Sequence, residues 1–258
     1  MVVFPIGATR FDLVGSANGS AGPMSANRGA WLRVQGGVST RTRILIMAKA
    51  PRPGEVNTRL ESLLGREGCA GLQSELIRHT VAWTSTVASR VWLAFAPHDA
   101  RSEVAPLVGD RCQLFPQVEG DLGARLLAAT EHVTDLSGDG PLPIVGTDAP
   151  LLGPEHVVAA NGRLAAGYGA CLVPALDGGY VLIALARPVA AAFAIPPAAW
   201  GSPDVLALTV AALERAGVRS ATLHPVPDLD TPADAIALRR LAACPSNVRA
   251  ALTPIAVS

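Results

Sequence analysis

Charge is scarce in this chain, and lysine is almost missing from it. Only 16% of its 258 residues are Asp, Glu, Lys or Arg, against roughly 25% in an average domain. The 21 basic and 21 acidic side chains cancel, so no net field draws the chain to nucleic acid or to an anionic membrane, and binding has to come from a local site. Lys49 is the single lysine; the other 20 basic residues are arginine. Cys69, Cys112, Cys171 and Cys244 lie more than 40 residues apart and form no CxxC or Cys/His cluster, which argues against a zinc site and for free thiols in a reducing compartment. Several signatures are also missing. No Gly-Lys-Ser/Thr closes a Walker A loop, no GxGxxG follows the first strand, and no GxSxG marks a serine hydrolase. The apolar run Val2 to Ile6 has no basic residue ahead of it and meets Arg10 and Asp12, so it is a poor signal peptide. Tyr180 to Trp200 has about the length of a membrane helix, but Arg187, Pro188, Pro196 and Pro197 interrupt it. It reads as a strand followed by a loop. The cytoplasm is the expected compartment, with neither membrane nor nucleic acid as a partner; the sequence says nothing of oligomeric state.

What is present is apolar and periodic. Half of the residues are hydrophobic, which excludes disorder along the whole chain, and the length is enough for one large α/β domain or two small ones. Residues 1–41 are rich in Gly, Ser, Ala and Asn without sustained periodicity, and are expected to be a disordered extension or a misassigned start. From Arg43 strand-like and helix-like segments alternate: strands at 44–50, 91–97, 113–117, 142–147, 170–176, 180–186 and 218–224, and helices at 69–87, 102–108, from Asp121, from Pro154 to near Ala166, from Ser202 to Arg215, and from Thr231 to Leu241. Asp121, Ser202 and Thr231 are the expected N-caps, with Pro154 and Pro232 in first turns. Runs apolar on both faces and separated by helices imply an α/β fold, a mainly parallel sheet covered on both sides. The expected boundaries are a domain over 42–245 and a C-terminal tail over 246–258.

In such a sheet, ligands sit at the carboxyl ends of the strands, where strand order reverses. Four clusters lie there. KAPRPGEVNTRL, Lys49 to Leu60, offers a loop stiffened by two prolines and Gly54, with Lys49, Arg52 and Arg59 as cations and Thr58 as a hydroxyl. That set suits a diphosphate; a rigid turn with solvated arginines is the plain alternative. GTDAP places Asp148 at the mouth of the sheet, able to present oxygen to a divalent cation, a ribose or a phosphate, or only to cap the next helix. PDLDTPAD carries Asp228 and Asp230 two positions apart, on one side of extended chain. Two carboxylates held together repel unless a cation or hydrogen bonds compensate, favouring Mg²⁺ or Mn²⁺ shared with Asp148; the plain alternative for half the motif is that Asp230 caps the helix begun by Thr231 and Pro232. DGGY joins two strands through Asp177, Gly178 and Gly179, either as a hairpin or as a close backbone approach to a ligand.

AKAPRPGEVNTRL, GDLGARL, GTDAP, DGGYVLIAL, the AW at Ala199 and Trp200, and DLDTPAD, in this order over about residues 43–240, resemble the bacterial DUF2064 family, also called radical-SAM/selenodomain-associated transferase 1. That family is similar to nucleotide-diphospho-sugar transferases of the GT-A type and more distantly to the CofC and MobA nucleotidyltransferases. The resemblance implies a three-layer α/β/α sandwich that binds a nucleotide-sugar or an NTP together with a divalent metal. It assigns Lys49, Arg52, Gly54, Asn57, Thr58, Arg59 and Asp121 to the nucleotide, and Asp148, Asp228 and Asp230 to the metal. Asp177, Gly178, Gly179 and Tyr180 would face the donor sugar or acceptor; as the expected catalytic residue, Asp177 positions the acceptor or acts as its base. One position departs from the pattern: Asn57 stands where family members have Lys. Attack on the α-phosphate of an NTP builds charge that a cation should neutralise, so Asn57 counts against nucleotidyl transfer more than against glycosyl transfer. The expected function is metal-dependent transfer of a sugar from a nucleotide-sugar to a small acceptor. The alternatives are a CofC-like or MobA-like nucleotidyltransferase and a non-catalytic nucleotide-binding relative.

Overall fold

A computed structural model of the chain describes residues 42–253; the extension expected over residues 1–41 lies outside the described residues. Seven strands are formed by the apolar runs: β1 (Arg43–Lys49), β2 (Arg90–Ala96), β3 (Gln113–Pro116), β4 (Leu142–Val145), β5 (Ala170–Pro174), β6 (Tyr180–Leu185) and β7 (Ser220–Thr222). Between and after them come α1 (Glu61–Val87), α2 (Arg101–Val108), α3 (Leu122–Ser137), α4 (Pro154–Ala165), α5 (Val205–Arg215), α6 (Pro232–Arg240) and α7 (Ser246–Ala251). The strands make one sheet in the order β3-β2-β1-β4-β6-β5-β7. β1 pairs parallel with both β2 and β4, β2 with β3, and β5 with β7, whereas β6 runs antiparallel to β4 and β5. Strand order reverses between β1 and β4, so the crevice lies beyond their carboxyl ends.

Alternation along β1 divides the core. Ile44 and Ile46 join Ile77 and Val81 of α1, Val104 of α2 and Val157 of α4. Leu45 faces the other way, into a cluster with Leu126 and Val133 of α3 and Leu213 of α5. Helices therefore cover both faces, and the fold is the expected three-layer α/β/α sandwich with a mainly parallel sheet.

Several boundaries move. α1 begins at Glu61, ahead of the expected Cys69, because the chain is helical on both sides of a kink at Gly65, φ 68°. α5 begins at Val205; Ser202 stands outside it, its Oγ accepting from the Asp204 amide at 3.3 Å in the preceding turn. Thr231 caps α6 as expected, sharing a capping box with Asp234. Strand β7 is short, but the chain beyond it stays beside β5 through Leu223 N to Leu172 O and Val226 N to Pro174 O, both 2.9 Å. The expected C-terminal tail is structured over its first residues: α7 buries Val248, and Leu252 beyond it, against α1 and Leu238 of α6. One apolar pair four residues apart was too short a signal to be read as a helix.

The four cysteines are unpaired. No helix among the described residues is long and apolar enough to cross a membrane.

Between β5 and β6 the connection spans residues 175–179, closed by Ala175 N to Gly179 O at 3.0 Å; it is not a two-residue Gly-Gly turn. Gly178 adopts φ 97°, its carbonyl accepts from the Leu206 amide at 3.0 Å, and a Cβ there would collide with the Pro203 carbonyl. The glycine is needed for approach to protein backbone, where a ligand contact was the expectation. Gly178→Ala should cost at least about 2 kcal/mol in urea unfolding, and Gly179→Ala clearly less, because its Cβ would meet only Asp177 Oδ1 at 3.2 Å.

Candidate functional site

At the carboxyl ends of β1 and β4 lies a cleft of about 510 Å³ whose walls include Lys49, Asn57, Thr58, Arg59, Asp148, Asp177, Asp228 and Asp230. These residues come from four separate segments, and backbone contacts join them. The Leu229 amide donates to Asp148 O at 2.8 Å, tying the PDLD segment to the GTDAP loop. Leu229 is buried in the third core cluster, so Asp228 and Asp230 on either side of it are turned to the cleft. Asp148 folds back over Gly146, where a Cβ would stand 2.6 Å from its Oδ1; glycine two residues before the carboxylate is what allows that conformation. Asp177 is held at the rim by its Oδ1 accepting from the Gly179 amide at 2.9 Å.

Two buried glutamines, neither anticipated from the sequence, organise the end of β1. Gln73 of α1 donates through Nε2 to Lys49 O at 2.9 Å and to Thr147 Oγ1 at 3.3 Å, and its Oε1 accepts from Asn57 Nδ2 at 3.3 Å. Gln117, after β3, donates to Ala48 O at 3.2 Å and Ala94 O at 2.8 Å, leaving its Oε1 to accept from Arg125 Nη1 at 3.3 Å. A lone Gln carries no motif, so neither was detectable. Arg125 was within reach, since GDLGARL contains it. It borders both the cleft and an adjoining pocket of about 250 Å³ that also touches Lys49, His98 and Gln117. Its Nε is buried without a hydrogen-bond partner, and no carboxylate pairs with it among the described residues.

The expected cations divide. Lys49 is in the cleft with no ion-pair partner among the described residues. Arg52 is not in the cleft wall: its guanidinium binds Glu103 at 2.6 to 3.1 Å and Asp99 at 3.0 Å, two carboxylates presented at the start of α2. Gly54 serves the same turn at φ 80° and also stands outside the cleft. Arg59 is in the cleft but paired with Asp230, a residue expected to bind metal. Asn57 has φ 50° and ψ 34°, a left-handed conformation that Asn tolerates better than most residues, and its amide reaches back to Cys69 O and Gln73. It therefore stabilises the loop, and no cation stands there. Asp121 caps α3 by accepting from the Ala124 amide at 2.9 Å and is absent from the cleft wall. Tyr180 turns its ring to a neighbouring chamber, while its hydroxyl is buried beside Thr209, and burial pushes its pKa up.

The carboxylates repel one another. Asp148 is surrounded by protein but open to the cleft, and its pKa is raised by that burial and then by Asp230 and Asp177, against the lowering effect of its own amide. Asp228 is pushed up to about 6, by burial first and then chiefly by Asp177. Among the described residues no three His, Cys, Asp or Glu side chains are arranged to hold a metal ion on their own. The donor set suits an ion of another kind: Mg²⁺ is usually held by one or two carboxylates plus substrate phosphates and water. Asp148 and Asp228 fit that requirement, while Asp230 is engaged by Arg59.

Residues 80–202 match the model of the DUF2064 family, described as an uncharacterized protein conserved in bacteria, and the chain resembles that family as its motifs indicated. A crystal structure of a candidate nucleotide-diphospho-sugar transferase from Desulfovibrio desulfuricans G20 is similar at a TM-score of 0.74 and 28% identity, over 82% of this chain and 93% of that one. The fold is of that transferase type. A 4-diphosphocytidyl-2C-methyl-D-erythritol synthase shares the fold at a TM-score of 0.53 and 12% identity, over 77% of this chain and 96% of that one. No curated protein matches the chain.

The strain among the carboxylates has a pH signature. Between the ordinary carboxylate value of 3.8 and about 6, the folded protein keeps a proton on Asp228 that the unfolded chain releases, so this residue's contribution to stability falls as pH rises through that window. Asp228→Asn has no such proton. With chelator present, its Tm should gain on the parent protein between pH 4 and pH 7. Parallel Tm curves would show that Asp228 is not held in this way.

Proposed function

We propose that the protein transfers a sugar from a nucleotide-sugar donor to a small neutral acceptor, with the nucleotide over the end of β1 and the acceptor on the far side of Asp148 and Asp177. The observation that carries this reading is the division of charge. Of the three cations in the cleft wall, Lys49 and Arg125 have no carboxylate partner among the described residues, and both also border the adjoining pocket beside β2 and β3. Beyond Asp148 and Asp177 the cleft meets a chamber whose described walls contain no Lys, Arg or His. A phospho-acid or sugar-phosphate acceptor would bring negative charge there. One such charge about 4 Å from a carboxylate meets on the order of 4 kcal/mol of repulsion at an effective dielectric near 20. Asn57, directed to α1 and uncharged, also favours glycosyl over nucleotidyl transfer. The similarity to a candidate nucleotide-diphospho-sugar transferase supports the same class.

Lys49 and Arg125 bind the donor's phosphates by charge-assisted hydrogen bonds. The rigid backbone at the end of β1 orients them before the ligand arrives, which avoids reorganisation during reaction. Asp148 and Asp228 would hold a magnesium or manganese ion, which would supply neutralisation of the charge on the leaving diphosphate. Asp177, fixed by the Gly179 amide, takes the proton of the acceptor hydroxyl as its oxygen bonds to the anomeric carbon. The bond from that carbon to the diphosphate oxygen breaks, and its electron pair leaves with the nucleoside diphosphate.

Nucleotide-sugars screened with Mg²⁺ and Mn²⁺ by thermal shift test the reading, since a ligand at 100 times its Kd adds about 2.7 kcal/mol of stability. At least one should raise Tm, and no shift with any nucleotide or nucleotide-sugar would overturn the proposal. Arg125→Ala should weaken donor binding about ten- to a hundredfold. Arg52→Ala should change it less than about threefold, because that guanidinium is held by Glu103 and Asp99 away from the cleft. Pyrophosphate release from an NTP would instead favour nucleotidyl transfer. Asp177→Asn should abolish turnover and retain donor binding; intact turnover would remove Asp177 from the role of base.

A further inference from the structure

Beyond Asp148 and Asp177 the cleft continues into a chamber of about 200 Å³ walled by Leu126 of α3, Ile144 of β4, Val181 and Ile183 of β6, Trp200, and Val205 of α5. The cleft and the chamber share Gly146, Asp148 and Asp177 as walls. Neither half of the proposed donor suits such a space. A sugar would leave its hydroxyls facing hydrocarbon, at a cost for each unpaired polar group, and a phosphate would have no cation. The hydroxyl of Tyr180, expected to face the sugar or acceptor, is buried beside Thr209, and neither it nor Trp200 Nε1 has a hydrogen-bond partner among the described residues; both are buried atoms, and the remaining polar side chains of the wall are Asp148, Asp177 and Ser202. An apolar cavity of about 150 Å³ is enough to hold benzene, so this one takes a group of that size or slightly more.

We propose that the chamber is the acceptor subsite and that it selects a neutral alcohol carrying an apolar group about the size of a benzene ring next to the hydroxyl. This rests on the glycosyl-transfer reading above and adds the acceptor's chemical class to it. With the apolar group against Val181, Ile183 and Val205, the hydroxyl lies toward the walls that the chamber shares with the cleft, where Asp148 and Asp177 stand. Burial of the apolar group supplies binding energy remote from the reacting oxygen and orients it, whereas small polyols gain nothing from these walls.

Benzyl alcohol and cyclohexylmethanol serve as probes, with glycerol and 3-phosphoglycerate as polar and anionic counterparts, all measured by ligand-observed NMR on the full chain without nucleotide. The two apolar alcohols should bind and the other two should not. Val205→Phe, which fills the chamber, should abolish binding. Val181→Thr, which keeps the shape and adds a hydroxyl to the wall, should weaken it about tenfold and keeps the test decisive if the larger substitution fails to fold. Absence of benzyl alcohol binding, binding unchanged by both substitutions, or preferential binding of 3-phosphoglycerate would overturn the proposal. Nucleotide-sugar affinity, measured separately on the same protein, tells the two failures apart: donor binding without alcohol binding removes only the acceptor class, and alcohol binding without donor binding removes the transfer reading beneath it.

Discussion

Everything at the site depends on satisfying the carbonyls at the end of β1. This strand is central in the sheet and buried, and where its ladder stops the carbonyls of Ala48 and Lys49 need donors in a place with little access to water. Gln117 and Gln73 supply them. Each glutamine has a second amide contact and an oxygen left over, and these reach Ala94, Thr147, Asn57 and Arg125. Two side chains thus lock the first loop, the end of β2, the GTDAP loop and the first turns of α3 to a single point. A site whose parts come from so many segments needs such a hub, because loops held only at their ends would not keep donors within a few tenths of an ångström.

Around that hub the scarce charge is concentrated. The pKa of Asp148 and of Asp228 is raised by burial first, and then by neighbouring carboxylates, Asp230 and Asp177 for the one and chiefly Asp177 for the other. Arg59 relieves one of them through Asp230. The remainder is strain of the kind that binding sites retain, since a cation or a ligand that relieves it gains the difference as affinity. Lys49 and Arg125 border the cleft, and the chamber that continues it is walled mostly by hydrocarbon, so the cleft has a direction: cations, carboxylates, apolar chamber.

The segments and the sandwich were legible because buried parallel strands are continuous apolar runs and their helices carry a period near 3.6. The acidic side of the site was legible for a related reason: Asp148, Asp177, Asp228 and Asp230 each follow a strand or precede a helix cap, where open α/β sheets place ligands. The cationic side was read less well. Arg52 and Arg59 lie in the same loop as Lys49, and nothing local says that Glu103 and Asp99 will meet one of them and Asp230 the other. Arg125 lies in GDLGARL, but nothing in that motif marks it, because its isolation from carboxylates is a property of packing. Asp121 and Gly178 looked like ligand contacts and serve a helix cap and a backbone crossing.

By itself the sequence determined the class of fold, the strand ends to inspect and the acidic residues found there, because those follow from local periodicity and from short motifs whose residues lie side by side. The tertiary structure alone decided which charges are free. Pairing is set by distances between residues tens to more than a hundred positions apart, such as Arg52 with Glu103 and Arg59 with Asp230, and among the described residues it left Lys49 and Arg125 as the cleft-wall cations without carboxylate partners. The chamber beside Asp177 was decided in the same way: strands and helices from α3 to α5 enclose it, and a cavity is a property of how surfaces fail to meet, which no stretch of sequence carries. The near absence of lysine in this chain therefore has a structural counterpart, since the one lysine stands at the end of β1, on the side of the cleft where an anion is favoured.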